Sequence, residues 1–275
     1  MSEIVLQVNN LSKRYKKVEA VRNLSFDIQK GNVYGLLGPN GSGKTTTLAM
    51  LMGILHPTNG SFSWFGNGQD DRNRLRIGCL LETPNFYPYL NAYDNLRVTA
   101  TIKKMINPAA RIEEVLEYVD LKERGKRPFR TYSLGMKQRL AVAATLLSDP
   151  EVLVLDEPTN GLDPEGIAEM RELILKIGAA GKTIILASHI LDEVEKICSH
   201  VVMLKQGEMV YNGSMTDLLL QRKSYKIMAD DQEKLISVLQ GIPSVKILSR
   251  DSDSVMVELD DPLTGTDLNR MIAEK

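Results

Sequence analysis

The chain has 275 residues and a mass of 30.7 kDa, 43% apolar and 25% charged, a size that fits one large globular domain, or one with a small appendage, around a sizeable core. Its 34 Lys and Arg nearly balance 35 Asp and Glu, for a formal net charge of −1 and a pI near 6.4, so no global field draws nucleic acid or an anionic membrane and a DNA-coating protein is disfavoured. Two cysteines, Cys79 and Cys198, are too few for a disulfide-stapled scaffold and suit a reducing compartment, which reads as cytosolic.

Met1 to Val8 lacks the basic start and apolar segment of a signal peptide, and within it Ile4 to Val8 alternates apolar and polar as a half-buried strand does. Leu24 to Ile28 alternates again before a Gly31-Asn32 turn, so the opening is β-rich. Val33 to Leu37 is an apolar run that feeds the glycine-rich segment Gly38 to Thr46, and Leu48 to Met52 continues as a helix up to stops at Gly53 and Pro57. From Pro84 to Arg130 helical spacing takes over, with Leu96, Val98 and Ile102, then Ile112, Val115, Leu116 and Val119. The longest apolar stretch, Leu140 to Leu147, also reads as helix and is far short of the ~20 residues that cross hydrocarbon, so any membrane role requires a partner subunit. A helical subdomain is expected over about residues 84–150.

Val152 to Leu155 and Thr183 to Ala187 are short apolar runs of the kind buried on both faces, separated by a helical Ile167 to Ile177; this alternation implies a parallel α/β sheet. Val201 to Leu204 and Met209 to Tyr211 flank Gly207, and the main domain is expected to span 1–220. From Gln221 the pattern changes. Tyr225 and Ile227 alternate, Leu235, Val238 and Leu239 suit a helix, Val255, Val257 and Leu259 alternate, and Leu268, Met271 and Ile272 suit a second helix. A small α+β appendage over 221–275 is expected, regulatory or partner-contacting, and either truncated or completing a sheet from another chain.

Gly38-Pro39-Asn40-Gly41-Ser42-Gly43-Lys44-Thr45 has the spacing of a phosphate-binding loop, set between an apolar strand and a helix. Glycines let backbone N–H groups turn inward around an anion, the helix start adds partial positive charge, Lys44 reaches the terminal phosphates, and the Thr45 hydroxyl can ligate Mg²⁺. Asp156-Glu157 follows a buried strand, where ligands collect in doubly wound sheets. Asp156 suits Mg²⁺ held through water, and Glu157 suits a base that takes a proton from an attacking water. Ser133 and Gly135 open an apolar helix and on their own amount to an N-cap, while His189, past the strand Thr183 to Ala187, is open between a structural and a catalytic role.

Taken in order over about Ile4 to Leu220, these segments resemble the nucleotide-binding subunit of ATP-binding cassette (ABC) transporters. The resemblance rests on the loop Gly38 to Thr46, a signature at Ser133 to Gln138, the carboxylate motif ending at Glu157, a D-loop at Gly161-Leu162-Asp163 and a switch histidine at His189. It implies a P-loop NTPase (RecA-like) α/β core with an N-terminal antiparallel β subdomain, an inserted helical subdomain and the small α+β C-terminal appendage. It also implies that Tyr15 stacks on adenine, the alternative being a core tyrosine in a strand connection, and that Thr46 joins the nucleotide contacts.

Two departures stand out. Tyr132-Ser133-Leu134-Gly135-Met136 carries Leu and Met where the family's signature has Gly and Gln, and Glu82 replaces the usual glutamine of the Q-loop, still offering an oxygen ligand for Mg²⁺ while adding a negative charge. The Glu82-to-Tyr87 pattern and this signature look like the exporter branch that includes bacteriocin and antimicrobial-peptide resistance transporters. The resemblance therefore implies an ATPase with ATP and Mg²⁺, working as a head-to-tail dimer in which Ser133 and Gly135 of one copy close on ATP held by the other. It would act at the inner face of the membrane through a separate permease and without nucleic acid. A soluble ABC ATPase of assembly, repair or translation is the alternative; the absence of a second cassette and of an inserted coiled coil speaks against the translation and repair branches.

Overall fold

The structure is a computed structural model that describes residues 3–66, 71–81, 85–221, 224–229, 231–251, 254–259 and 263–273. It divides into two compact units, Met1–Ser214 and Met215–Lys275.

In the first unit the elements run β1 (Ile4–Tyr15), β2 (Val18–Gln29), β3 (Val33–Leu37), α1 (Lys44–Leu51), β4 (Asn59–Trp64) and β5 (Ile77–Leu80). There follow α2 (Ala92–Ile102), α3 (Ala109–Tyr118), α4 (Leu134–Leu146), β6 (Val152–Asp156), α5 (Pro164–Ala179), β7 (Thr183–Ser188), α6 (Leu191–Ile197), β8 (His200–Lys205) and β9 (Glu208–Ser214). The alternating β1 and β2 pair as an antiparallel hairpin, and β4 joins the other side of β1, giving the order β2-β1-β4. The second sheet has the order β5-β6-β7-β3-β8-β9, parallel throughout except for the antiparallel edge strand β9. Every residue of β6 and β7 is buried, which is why Val152 to Leu155 and Ile184 to Ala187 are unbroken apolar runs.

One apolar core joins the inner face of the first sheet (Leu6, Leu24, Ile28) to α1 (Leu48, Met50) and to the second sheet (Val152, Val154, Ile185). Truncating one of these, for example Leu48 to Ala, removes about 2–5 kcal/mol. The helices of the expected helical subdomain, α2, α3 and α4, follow β5 in sequence, and side-chain caps start two of them: Asn91 Oδ1 accepts from Asp94 N–H at 2.9 Å for α2, and Ser133 Oγ from Met136 N–H at 3.3 Å for α4. On β3, Gly35 lets α6 lie directly on the sheet, for a Cβ there would fall 2.3 Å from Val194 Cγ1 and 3.2 Å from Cys198 Sγ.

The second unit is built of α7 (Met215–Gln221), β10 (Ser224–Ile227), α8 (Gln232–Gln240), β11 (Val245–Arg250), β12 (Val255–Leu259) and α9 (Gly265–Ala273). Its antiparallel sheet has the order β10-β12-β11, and it encloses its own core of Leu235, Leu239, Ile242, Val255, Val257, Leu259 and Leu268. The expected fold class is the one observed: a parallel P-loop-type α/β core, an antiparallel β layer, intervening helices and a small α+β unit.

Candidate nucleotide-binding site

Three neighbouring strands of the parallel sheet, β6, β7 and β3, end side by side, with Leu37 in register with Ser188 and Asp156 with Ala187. Their carboxyl ends deliver the glycine loop, the carboxylate pair and His189 to one place. Backbone hydrogen bonds fix the three exits: Gly38 N–H donates to Ser188 O at 3.3 Å and Glu157 N–H to Ala187 O at 3.0 Å.

The loop wraps tightly. A side chain at Gly38 would collide with Leu204 O at 2.3 Å and Ser42 Oγ at 2.5 Å, and Gly43, the N-cap of α1, has φ 104° with Ala20 O only 2.5 Å from where a Cβ would stand. Pro39, Asn40 and Gly41 are exposed, Ser42, Gly43 and Lys44 are buried, Thr45 faces solvent on the first turn of α1, and Thr46 is half-buried. Lys44, 5% exposed, folds back so that Nζ donates to Gly38 O at 2.7 Å and lies 3.4 Å from Glu157 Oε1. Ser42 Oγ is buried with no hydrogen-bond partner among the described residues. A buried lysine across a tight glycine loop at a helix start, with an orphaned hydroxyl beside it, fits a polyphosphate.

Asp156 closes β6 as a buried carboxylate. Glu157 leaves the strand with φ 49°, in the left-handed region that non-glycine residues rarely adopt, and this bend turns its carboxylate between two partners. One oxygen faces Lys44 Nζ and the other lies 2.8 Å from His189 Nδ1. The lysine, glutamate and histidine that sequence placed in three separate motifs thus form one contiguous cluster, and His189 is paired to the carboxylate. Thr45 and Asp156 offer hydroxyl and carboxylate oxygens, the donor set that suits a hard cation such as Mg²⁺. Among the described residues no group of three or more His, Cys, Asp or Glu would hold a metal alone. Both cysteines are free, and burial pushes the Cys198 thiol up to about 12.

Ser133 and Gly135 stand apart from this cluster, in a cleft of about 430 Å³ shared with the D-loop residues Gly161, Leu162 and Asp163. Leu134, at the position of the family's glycine, is exposed and leans toward the D-loop, its Cδ2 3.2 Å from where a Cβ on Gly161 would sit. Tyr15 ends β1 at 44% exposure with Lys13 Nζ 5.2 Å from its ring centre; the reading of Tyr15 as a core tyrosine therefore falls, because both sides of the hairpin end face solvent. Glu82 lies outside the described residues. Sequence reasoning missed the charged residues that join the helices behind the site, Arg139 to Glu169 at 3.3 Å and Arg171 to Glu193 at 3.6 Å; the one visible signal was a Glu inside the otherwise apolar face of a short helix.

A phosphate loop at the end of a central parallel strand, backed by two carboxylates from the next strand but one, defines a P-loop nucleotide hydrolase. Residues 21–160 match the ABC transporter family, and the chain belongs to it. It is 38% identical over 227 residues to the bacitracin transport ATP-binding protein BcrA of Enterococcus faecalis, covering 81% of this chain and 73% of that protein. It is 41% identical to the lantibiotic transport ATP-binding protein SrtF of Streptococcus pyogenes, over 76% of this chain and 93% of the relative. Its fold matches cbiO1 of Clostridium perfringens, part of the ABC transporter complex cbiONQ, with a TM-score of 0.73 and 29% identity over 80% of this chain and 92% of that one. The chain is an ATP-binding, ATP-hydrolysing subunit of this transporter class, and no helix among its described residues is long and apolar enough to cross a membrane.

Proposed function

We propose that the chain hydrolyses ATP with Mg²⁺ as a head-to-tail dimer and so powers export of a peptide antibiotic, or a similar amphipathic compound, through a separate membrane permease at the cytoplasmic face. The observation that carries this reading is the contiguous Lys44–Glu157–His189 cluster at the mouth of the glycine loop. Lys44, already in place, pairs with the terminal phosphates. Glu157 accepts a proton from the attacking water, and His189, hydrogen-bonded to the same carboxylate, keeps it aimed and meets charge developing on the γ-phosphate. Thr45 and Asp156, with Glu82 on the family resemblance, would hold Mg²⁺, which would supply positive charge to offset that of the phosphates.

Tyr15 offers an exposed ring for adenine. Ser133 and Gly135 present a hydroxyl and a free helix start to ATP on the opposing copy. The bacitracin and lantibiotic relatives support the class of cargo. A groove lined by Asn85, Phe86, Tyr87, Val98 and Ile102, with Ile102 76% exposed, supports docking of an apolar permease segment on the helical subdomain.

Glu157→Gln tests the reading. It should keep ATP binding, lower turnover by about 10²–10⁴ and trap an ATP-bound dimer visible by size-exclusion chromatography. Wild-type turnover in this variant would remove Glu157 as the base, and a monomer at ATP concentrations far above the binding constant would remove the dimer.

A further inference from the structure

Between α5 and α6, the helix that follows His189, lies a partly buried ion pair that the chemistry above does not use. Glu193, in the first turn of α6, is 5% exposed, and its Oε1 lies 3.6 Å from Arg171 Nη2 on α5. That separation attracts but is too long for a hydrogen bond. Glu193 Oε2 and Arg171 Nε are both buried with no hydrogen-bond partner among the described residues. A pair with one buried partner and two unsatisfied buried atoms is a poor source of stability, since apolar residues of similar volume would serve as well or better. Its value lies in where it holds α6.

Helix α6 starts two residues after His189, and among the described residues its side-chain tether at the entry is Ser188 Oγ accepting Ile190 N–H at 3.1 Å. Successive residues on a helix point about 100° apart. Val194 rests on β3 at Gly35, which sets the distance of α6 from the sheet, while its neighbour Glu193 engages α5, which sets the roll of α6 about its own axis. His189 precedes α6 across the single extended residue Ile190, so a roll of α6 displaces it relative to Glu157. Helix α5 is a firm reference for this: Asp163 Oδ1 accepts Gly166 N–H at 2.9 Å to cap it, and Glu169 ties it to Arg139 of α4 at 3.3 Å.

We propose that Arg171 and Glu193 are positioning residues that fix the roll of α6 and thereby hold His189 against Glu157. The inference rests on the nucleotide-site reading above and adds to it the device that aligns the histidine. The full-length chain is assayed for ATPase with Mg²⁺ as wild type, Glu193→Gln, His189→Ala and the double variant, with affinity followed by a fluorescent ATP analogue and folding by circular dichroism. Glu193→Gln should bind the analogue within about twofold of wild type yet lose turnover roughly 2- to 30-fold, with KM unchanged. In the His189→Ala background the same substitution should cost nothing further, because its effect passes through the histidine.

A merely structural role would lower affinity as well, and its loss would multiply with that of His189→Ala; either result overturns the proposal, as does wild-type turnover in Glu193→Gln. If His189→Ala itself keeps full turnover, the reading of the site falls and this inference with it; if His189→Ala loses turnover while Glu193→Gln keeps it, the positioning role alone falls. Should Glu193→Gln not fold, Arg171→Lys goes through the same cycle, with lowered turnover at unchanged affinity expected and wild-type turnover overturning the proposal.

Discussion

Glu157 carries its carboxylate on a backbone bent to φ 49°, a conformation that costs a side-chain-bearing residue about 1–2 kcal/mol. The bend is what lets one carboxylate meet Lys44 and His189 together. Replacing Glu157 by Gly and by Ala removes the same carboxylate from both variants, so their difference isolates the bend; Glu157→Gly should be the more stable by about 1 kcal/mol in urea unfolding. Lys44→Ala should abolish ATP binding, because the loop then meets a polyphosphate without its buried cation, and equilibrium binding of an ATP analogue checks it. Cys198, with its thiol pushed up to about 12, should be alkylated at pH 8 at least about a hundredfold more slowly in the folded chain than in urea, read by mass spectrometry of the labelled peptide. The glycine loop was legible in sequence because its chemistry is local: spacing alone puts Lys44 at a helix start. The contacts of Glu157 with Lys44 and His189 were not, since they depend on strand order and on a left-handed residue that no local pattern announces.

Among the elements, legibility followed burial. Strands β3, β6 and β7, covered on both faces, read directly from Val33 to Leu37, Val152 to Leu155 and Thr183 to Ala187. Strand β4, Asn-Gly-Ser-Phe-Ser-Trp, buries only Phe62 and Trp64, and β11 is exposed along most of its length, so neither carries enough pattern to stand out. Helix α6 was missed because it is seven residues long and buries a glutamate among its apolar positions. Its seat on β3 is equally invisible until Gly35 is seen against Val194. Gly35→Ala should therefore push α6 outward, cost about 1–3 kcal/mol of stability and lower ATPase turnover, while Gly35→Ala with Val194→Ala recovers part of both. Thermal melts and steady-state rates of the two variants decide it; equal damage in the single and double variants would argue that the close approach does not govern α6.

At the scale of the whole chain, every proposed nucleotide contact lies in Met1–Ser214, and the second unit adds none. A chain cut after Ser214 should bind the ATP analogue with unchanged affinity, and a folded but non-binding product would assign part of the site's support to Met215–Lys275. The two units enclose separate cores, one around Leu6, Leu48 and Val154 and the other around Leu239, Val257 and Leu268. Differential scanning calorimetry should accordingly resolve two endotherms. ATP at a hundred times its dissociation constant stabilises only the state that binds it, by about 2.7 kcal/mol. The larger endotherm should move up by about 5–10 °C while the smaller stays where it was, so that the melting profile itself separates the engine from its appendage.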